Sequence, residues 1–240
     1  MEYQLDSVTA PRLGMVVLST DETLEDETRS VLEGRDARLM HSRIYSAPQV
    51  TPDSLKAMEA LMPASAQLLP EGLDAIAYGC TSASVMMGPE AVERQIQSVH
   101  PNVPVTNPIS AVIAALDHMN ATKIALVTPY TAQVAAPMRD FLARAGVETL
   151  GEAGFGEEDD RKVARISEAS TLNAVLETGR TRGVEAVFAS CTNLHAFGII
   201  DAAEAELGIP VISSNLALVW HVLRLAGVTP TGWGPGRLFS

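Results

Sequence analysis

Cysteine is nearly missing from this sequence: there are two in 240 residues, Cys80 and Cys191, 111 positions apart. Thiols so few and so distant, with no basic leader running into an apolar segment at the N-terminus, exclude a disulfide framework. They are expected to be free, in a cytoplasmic protein. Positive charge is also short, with 17 Lys and Arg against 29 Asp and Glu and a formal net charge of −12. No basic run offsets it, which excludes nucleic acid and anionic membrane surfaces as partners and leaves a small acid held by local hydrogen-bond donors. No apolar run approaches a membrane span. The spacing Cys191-x3-His195 offers too few ligands for zinc, so no metal site is expected. Apolar residues, by contrast, are plentiful: 47% hydrophobic against 19% charged marks a folded globular chain, long enough for one large or two small domains.

Short apolar runs recur along the chain, at residues 13–19, 74–79, 103–107, 123–129, 185–190 and 209–214. Between them lie segments with helical spacing, including 52–69, 89–99, 110–119, 134–145 and 167–180. Apolar strands alternating with helices predict α/β architecture with parallel sheets covered on both faces. The stretch "GEAGFGEEDDRK", 151–162, is Gly-rich, acidic and without period. It reads as a mobile surface loop or an active-site lid, its acidic cluster Glu157 to Asp160 as a solvated face.

A shift of 111 residues lays "LGMVVLS" on "IALVTPY", Gly72 on Gly183, Asp74 on Glu185, Cys80 on Cys191 and Thr81 on Thr192. A further pair, "NVPVTNP" and "GIPVISSN", follows at an offset of 106. The repeat predicts two similar Rossmann-like lobes related by a pseudo-twofold axis, residues 1–105 with 217–240 and residues 106–216, with the active site between them.

In each copy the cysteine follows an apolar strand and is expected to precede a helix, which puts it at the C-terminal edge of a parallel sheet, where open α/β sheets bind ligands. Thr81, Ser82, Thr192 and Asn193 would then open those helices, where free backbone N–H groups and small donor side chains suit a carboxylate. The helix dipole would favour the thiolate. Two such thiols facing one small acid can take a proton from one side and return it from the other, as racemisation requires. A buried cysteine that merely packs is the competing reading, weakened by the two copies in register. His195 either activates Cys191 or packs.

The stretches "YGCTSAS", "VTNPISAVIAAL", "KIALVTPY", "FASCTNLHAFGIID", "LGIPVISSNLALVWHVLRLAGV" and "GRLF" together resemble the aspartate/glutamate racemase superfamily, particularly its maleate cis-trans isomerase branch. The resemblance implies a cofactor-independent isomerase or racemase of a small amino or dicarboxylic acid, commonly a homodimer or higher homo-oligomer. It implies Cys80 as nucleophile or first base, Cys191 as its partner, Thr81, Ser82, Thr192 and Asn193 as carboxylate holders, and Tyr130 as a substrate contact. Maleate isomerisation proper is one alternative. An arylmalonate-type decarboxylase, whose resemblance implies a cysteine only in the second lobe, and a non-catalytic small-acid binding protein are others. Asp21 stands where the maleate isomerases carry an Asn that holds a carboxylate, and "GEEDDRK" stands where they carry a second. Asp21 is therefore expected either to accept a cationic or neutral donor of the substrate, as in the racemase-like proteins encoded with ectoine-degradation enzymes, or simply to cap the helix that follows.

Overall fold

The computed structural model describes residues 1–5 and 9–240. Its first half runs β1 (Arg12–Leu18), α1 (Leu24–Leu32), β2 (Arg38–Ile44), α2 (Pro52–Ala57), α3 (Met62–Ala66), β3 (Ala75–Gly79), α4 (Thr81–Met87), α5 (Pro89–Gln97) and β4 (Val105–Thr106). The second runs α6 (Pro108–His118), β5 (Lys123–Thr128), α7 (Ala132–Arg144), β6 (Glu148–Gly154), α8 (Asp160–Val163), α9 (Glu168–Gly179), β7 (Ala186–Ala189), α10 (Ile200–Leu207), β8 (Val211–Ser213) and α11 (Ser214–Leu225). The strands form two four-stranded sheets, ordered β2-β1-β3-β4 and β6-β5-β7-β8, parallel throughout. This is the α/β architecture of two similar lobes that the repeat predicts.

Strands β1 and β5 begin 111 residues apart, as do β3 and β7. The matched acids have the same task. Asp74 accepts the N–H of Arg12 at 2.7 Å, and Glu185 accepts those of Thr122 and Lys123 at 2.8 and 3.0 Å, so each pins the start of its lobe's first strand. The matched Gly72 and Gly183 hold φ of +73° and +89° just before β3 and β7, a backbone region closed to most side chains. Strands β2 and β6 escape the sequence pattern because they are sheet edges: "RLMHSRI" and "ETLGEAG" are half-exposed and carry no apolar run. Residues 151–154 therefore belong to a strand, and the irregular stretch expected from 151 starts only after Gly154. The helix expected over 52–69 is broken into α2, a 3₁₀ turn at Met58–Leu61 and α3, the last with Pro63 in its first turn.

Helices α6 and α11 pack on one another, and α11, which leaves the second sheet after β8, also lies against β3 and β4 of the first. One apolar cluster consequently runs through both lobes, from Leu13, Met15 and Val17 through Val112 and Leu216 to Leu126 and Phe188. Gly79 closes β3 directly under α1, and a Cβ there would run into the wholly buried Leu24. Gly79→Ala is therefore expected to lower unfolding stability by about 1–3 kcal/mol through overpacking, read as a lower urea midpoint with an unchanged denaturant slope.

Candidate active site

Cys80 ends β3 and caps α4: its backbone is extended and its Sγ accepts the Ala83 N–H at 3.4 Å. The thiol thus stands at the start of a helix, as expected. Thr81, the first residue of that helix, shares a 2.7 Å hydrogen bond with the Ser214 hydroxyl. Ser82 is buried and its Oγ has no partner among the described residues.

Cys191 departs from the expectation. No helix starts behind it; residues 192–196 form an irregular turn, a single 3₁₀ turn follows at Phe197–Ile199, and α10 begins only at Ile200. The backbone at Cys191 sits at φ +141°, a strained value for a side-chain-bearing residue, so no helical geometry fixes the thiol. Hydrogen bonds from elsewhere do. Ser214 Oγ accepts the Cys191 N–H at 3.0 Å, and Cys191 Sγ accepts the Asn193 N–H at 3.3 Å. Thr192 donates its hydroxyl to the Gly79 carbonyl at 3.3 Å. Asn193 spends both amide hydrogens on the carbonyls of Thr20 and Asp160, at 3.2 and 2.9 Å, and its Oδ1 accepts the Glu22 N–H at 2.8 Å. It has no hydrogen left for a substrate oxygen. Further on, Glu27 of α1 accepts the N–H groups of Ala196 and Phe197, both at 3.1 Å, and the Asn215 amide at 2.6 Å, while Asn215 also donates to the Thr192 carbonyl at 2.8 Å. Of the four donors expected to hold a carboxylate, Ser82 alone has its oxygen free.

The two cysteines line one enclosed cavity together with Thr81, Ser82, Tyr130, Asp160 and Thr192. It measures about 10 Å³, and an adjoining one of about 10 Å³ reaches past Asp160 to Thr20 and Ser46; each has room for roughly one water molecule. Tyr130 is in the site, as the resemblance implied: its hydroxyl donates to Asp160 Oδ1 at 2.9 Å and lies 3.2 Å from Cys191 Sγ. Asp160 is the residue that sequence reasoning missed. Far from being part of a solvated face, it is 2% exposed and accepts the Thr20 hydroxyl at Oδ2, 2.6 Å away. Its neighbours Arg161 and Lys162 point outward and pair with Asp159 and Glu157. The signal available was the resemblance, which put "GEEDDRK" where the maleate isomerases carry a second Asn but did not single out Asp160 among its acids. The backbones of 48–50 and 158–160 clasp each other over the site through Val50 N–H to the Glu158 carbonyl and Asp160 N–H to the Pro48 carbonyl, both 2.9 Å.

Asp21 lines neither cavity. Its Oδ1 accepts the N–H groups of Thr23 and Leu24 at 2.9 and 2.8 Å, which is the capping role, while Oδ2 is buried without a partner. His195 sits 3.5 Å from the Thr23 hydroxyl and makes no hydrogen bond to Cys191.

The expected lowering of the thiols' pKa is overturned. Burial pushes Cys80 up to about 12, the Ala83 N–H pulling down against it and the nearby Asp160 and Asp21 pushing further up. Cys191 is raised well above the usual thiol range by burial and then by Asp160, against the pull of the Asn193 N–H. One helix end cannot offset removal from water beside two acids. Burial likewise lifts Asp21 to about 7 against its two N–H bonds, and Glu27 to about 7 against those of Ala196, Asn215 and Phe197.

The family model described as arylmalonate decarboxylase matches residues 45–239. The maleate isomerase of Pseudomonas putida is 27% identical over 243 aligned positions, covering 95% of this chain and 97% of that one. The arylmalonate decarboxylase of Bordetella bronchiseptica is 27% identical over 196, covering 80% and 82%. Among solved structures, the Nocardia farcinica maleate cis-trans isomerase with a covalently bound succinylcysteine intermediate superposes with a TM-score of 0.85 at 25% identity, covering 96% of this chain and 98% of that one.

Glu27 binds its proton more tightly folded than unfolded, so its contribution to stability is full below the ordinary value of 4.5 and is lost as pH rises to about 7. The same holds for Asp21 from 3.8 to about 7. Unfolding free energy measured in urea is therefore expected to fall as pH rises through that window, by up to about 1.4 kcal/mol per pH unit for each group. Glu27→Gln and Asp21→Asn should each flatten the fall.

Proposed function

The chain belongs to the arylmalonate decarboxylase family, and we propose that it works as a cofactor-independent two-cysteine isomerase or racemase of a small amino or dicarboxylic acid. The observation that carries this is the shared cavity: one thiol from each lobe, Tyr130 hydrogen-bonded toward Cys191, and the free Ser82 hydroxyl at the start of α4. Ser82 would hold a substrate carboxylate oxygen. Once one thiol has lost its proton to solvent, that thiolate removes the proton from the carbon next to the carboxylate while the other thiol delivers its own proton to the opposite face. The pair then ends with thiol and thiolate exchanged, ready for the reverse reaction.

Maleate cis-trans isomerisation is the second reading, supported by similarity to maleate isomerases along nearly the full length of both chains. Here a thiolate would add to one alkene carbon while the other thiol protonates its neighbour. Rotation about the resulting single bond, then loss of a proton from the carbon that was protonated and of the thiolate from its neighbour, would give the trans acid. Two free cysteines suit the reducing cytoplasm in which we place the protein, and we carry over a homodimer or higher homo-oligomer from the family resemblance.

Incubation in deuterium oxide with a panel of amino acids and with maleate separates the two reactions. Exchange at the α-carbon, abolished in both Cys80→Ser and Cys191→Ser with folding intact, is the expected result; conversion of maleate to fumarate without α-exchange of any amino acid selects the second reading. Neither reaction in the wild type would falsify both.

A further inference from the structure

The cavity between the thiols is unusual in its charge. Among the described residues it is lined by no Lys, Arg or His, yet it contains the carboxylate of Asp160, 2% exposed. Each oxygen of that carboxylate accepts one hydroxyl, from Tyr130 and from Thr20, and each has a lone pair to spare. The cations nearest in sequence, Arg161 and Lys162, are turned outward to Asp159 and Glu157. Ser82, also lining the cavity, is 4% exposed with its Oγ unpartnered. A buried hydroxyl without a partner and a buried anion without a counter-cation both ask for a ligand, and for opposite ends of one.

We propose that the site selects acids carrying a positively charged nitrogen: Asp160 accepts the substrate's ammonium group and Ser82 donates to its carboxylate. The inference rests on the two-thiol reading and narrows its substrate class. A second carboxylate placed against Asp160 would meet a like charge inside a water-poor cavity, where repulsion is far stronger than in bulk water. An ammonium group there supplies the missing countercharge. It also offsets the repulsion between Asp160 and either cysteine's thiolate, so the correct substrate favours the thiolate that it needs. Asp160 is thus the specificity-determining residue.

Calorimetric titration of the intact protein with acids that differ by one amino group tests this, using both enantiomers of aspartate against succinate, and of 2-aminobutyrate against butyrate. The wild type is expected to bind the amino member at least tenfold more tightly. Asp160→Asn, which can still hydrogen-bond both hydroxyls, should lose that preference tenfold or more, whereas Ser82→Ala should weaken both members of a pair alike. The proposal is overturned if the wild type binds the plain acid equally well or better, if no amino member binds at millimolar concentration, or if Asp160→Asn retains the ratio. The wild-type ratio decides even if the variant does not fold. Because binding is read without turnover, an Asp160-dependent preference lacking α-carbon exchange would sink the catalytic reading and leave this one standing; exchange indifferent to the amino group would do the reverse.

Discussion

The arrangement of the site depends on hydrogen bonds that cross from one lobe to the turn carrying the other lobe's cysteine. Cys191 belongs to the second sheet by sequence, but Thr20, Glu22, Thr23, Glu27 and Gly79 of the first lobe, with Ser214 and Asn215 of α11, hold it and residues 192–197. Most of these bonds are buried, where a donor stripped of its acceptor costs about 1–3 kcal/mol. The second thiol is therefore fixed relative to the first more firmly than two docked domains would fix it. The price is a backbone at φ +141°, tolerated because so many partners over-determine it.

This explains why the two copies of the repeat are alike in position and unlike in support. Cys80 is held locally, by the helix that it caps. Cys191 is held remotely, by an Asn and a Glu that join three elements. The repeat places the thiols at two equivalent sheet edges; the interface between them gives each different surroundings, and the Tyr130 hydroxyl touches only the second thiol's sulfur.

Much of this was legible in the sequence because it depends on local period and spacing. Buried central strands announce themselves as apolar runs, and the 111-residue offset carried the symmetry, the acids that pin each first strand and the pairing of the thiols. Edge strands β2 and β6 were invisible, since a strand exposed on one side needs no apolar run. The site was half legible. Cys80, Cys191, Ser82 and Tyr130 line one cavity, although no helix follows Cys191, but Asn193 and Thr192 bond across the interface, and Asp160 looked like one more surface acid in "GEEDDRK". A single letter cannot show which of four adjacent acids turns inward. That is settled by the clasp between residues 48–50 and 158–160, a contact between chain segments more than a hundred positions apart.

The same clasp bears on how a ligand reaches the site. Space for about one water in each cavity cannot accommodate a carboxylic acid of several carbons. Opening at the Cys191 turn would break all its buried cross-lobe bonds together, whereas opening at the clasp, close to exposed Asp53, Glu158 and Arg161, separates its two backbone bonds and the bonds that Asp160 makes to Asn193, Tyr130 and Thr20. The lower-cost route runs over residues 48–50 and 158–160, and it moves Asp160 with it. Entry and charge are coupled in this way: the segment that must lift to admit a ligand carries the acid that the ligand must satisfy before the segment settles again, so closure favours the ligand whose charge completes the cavity.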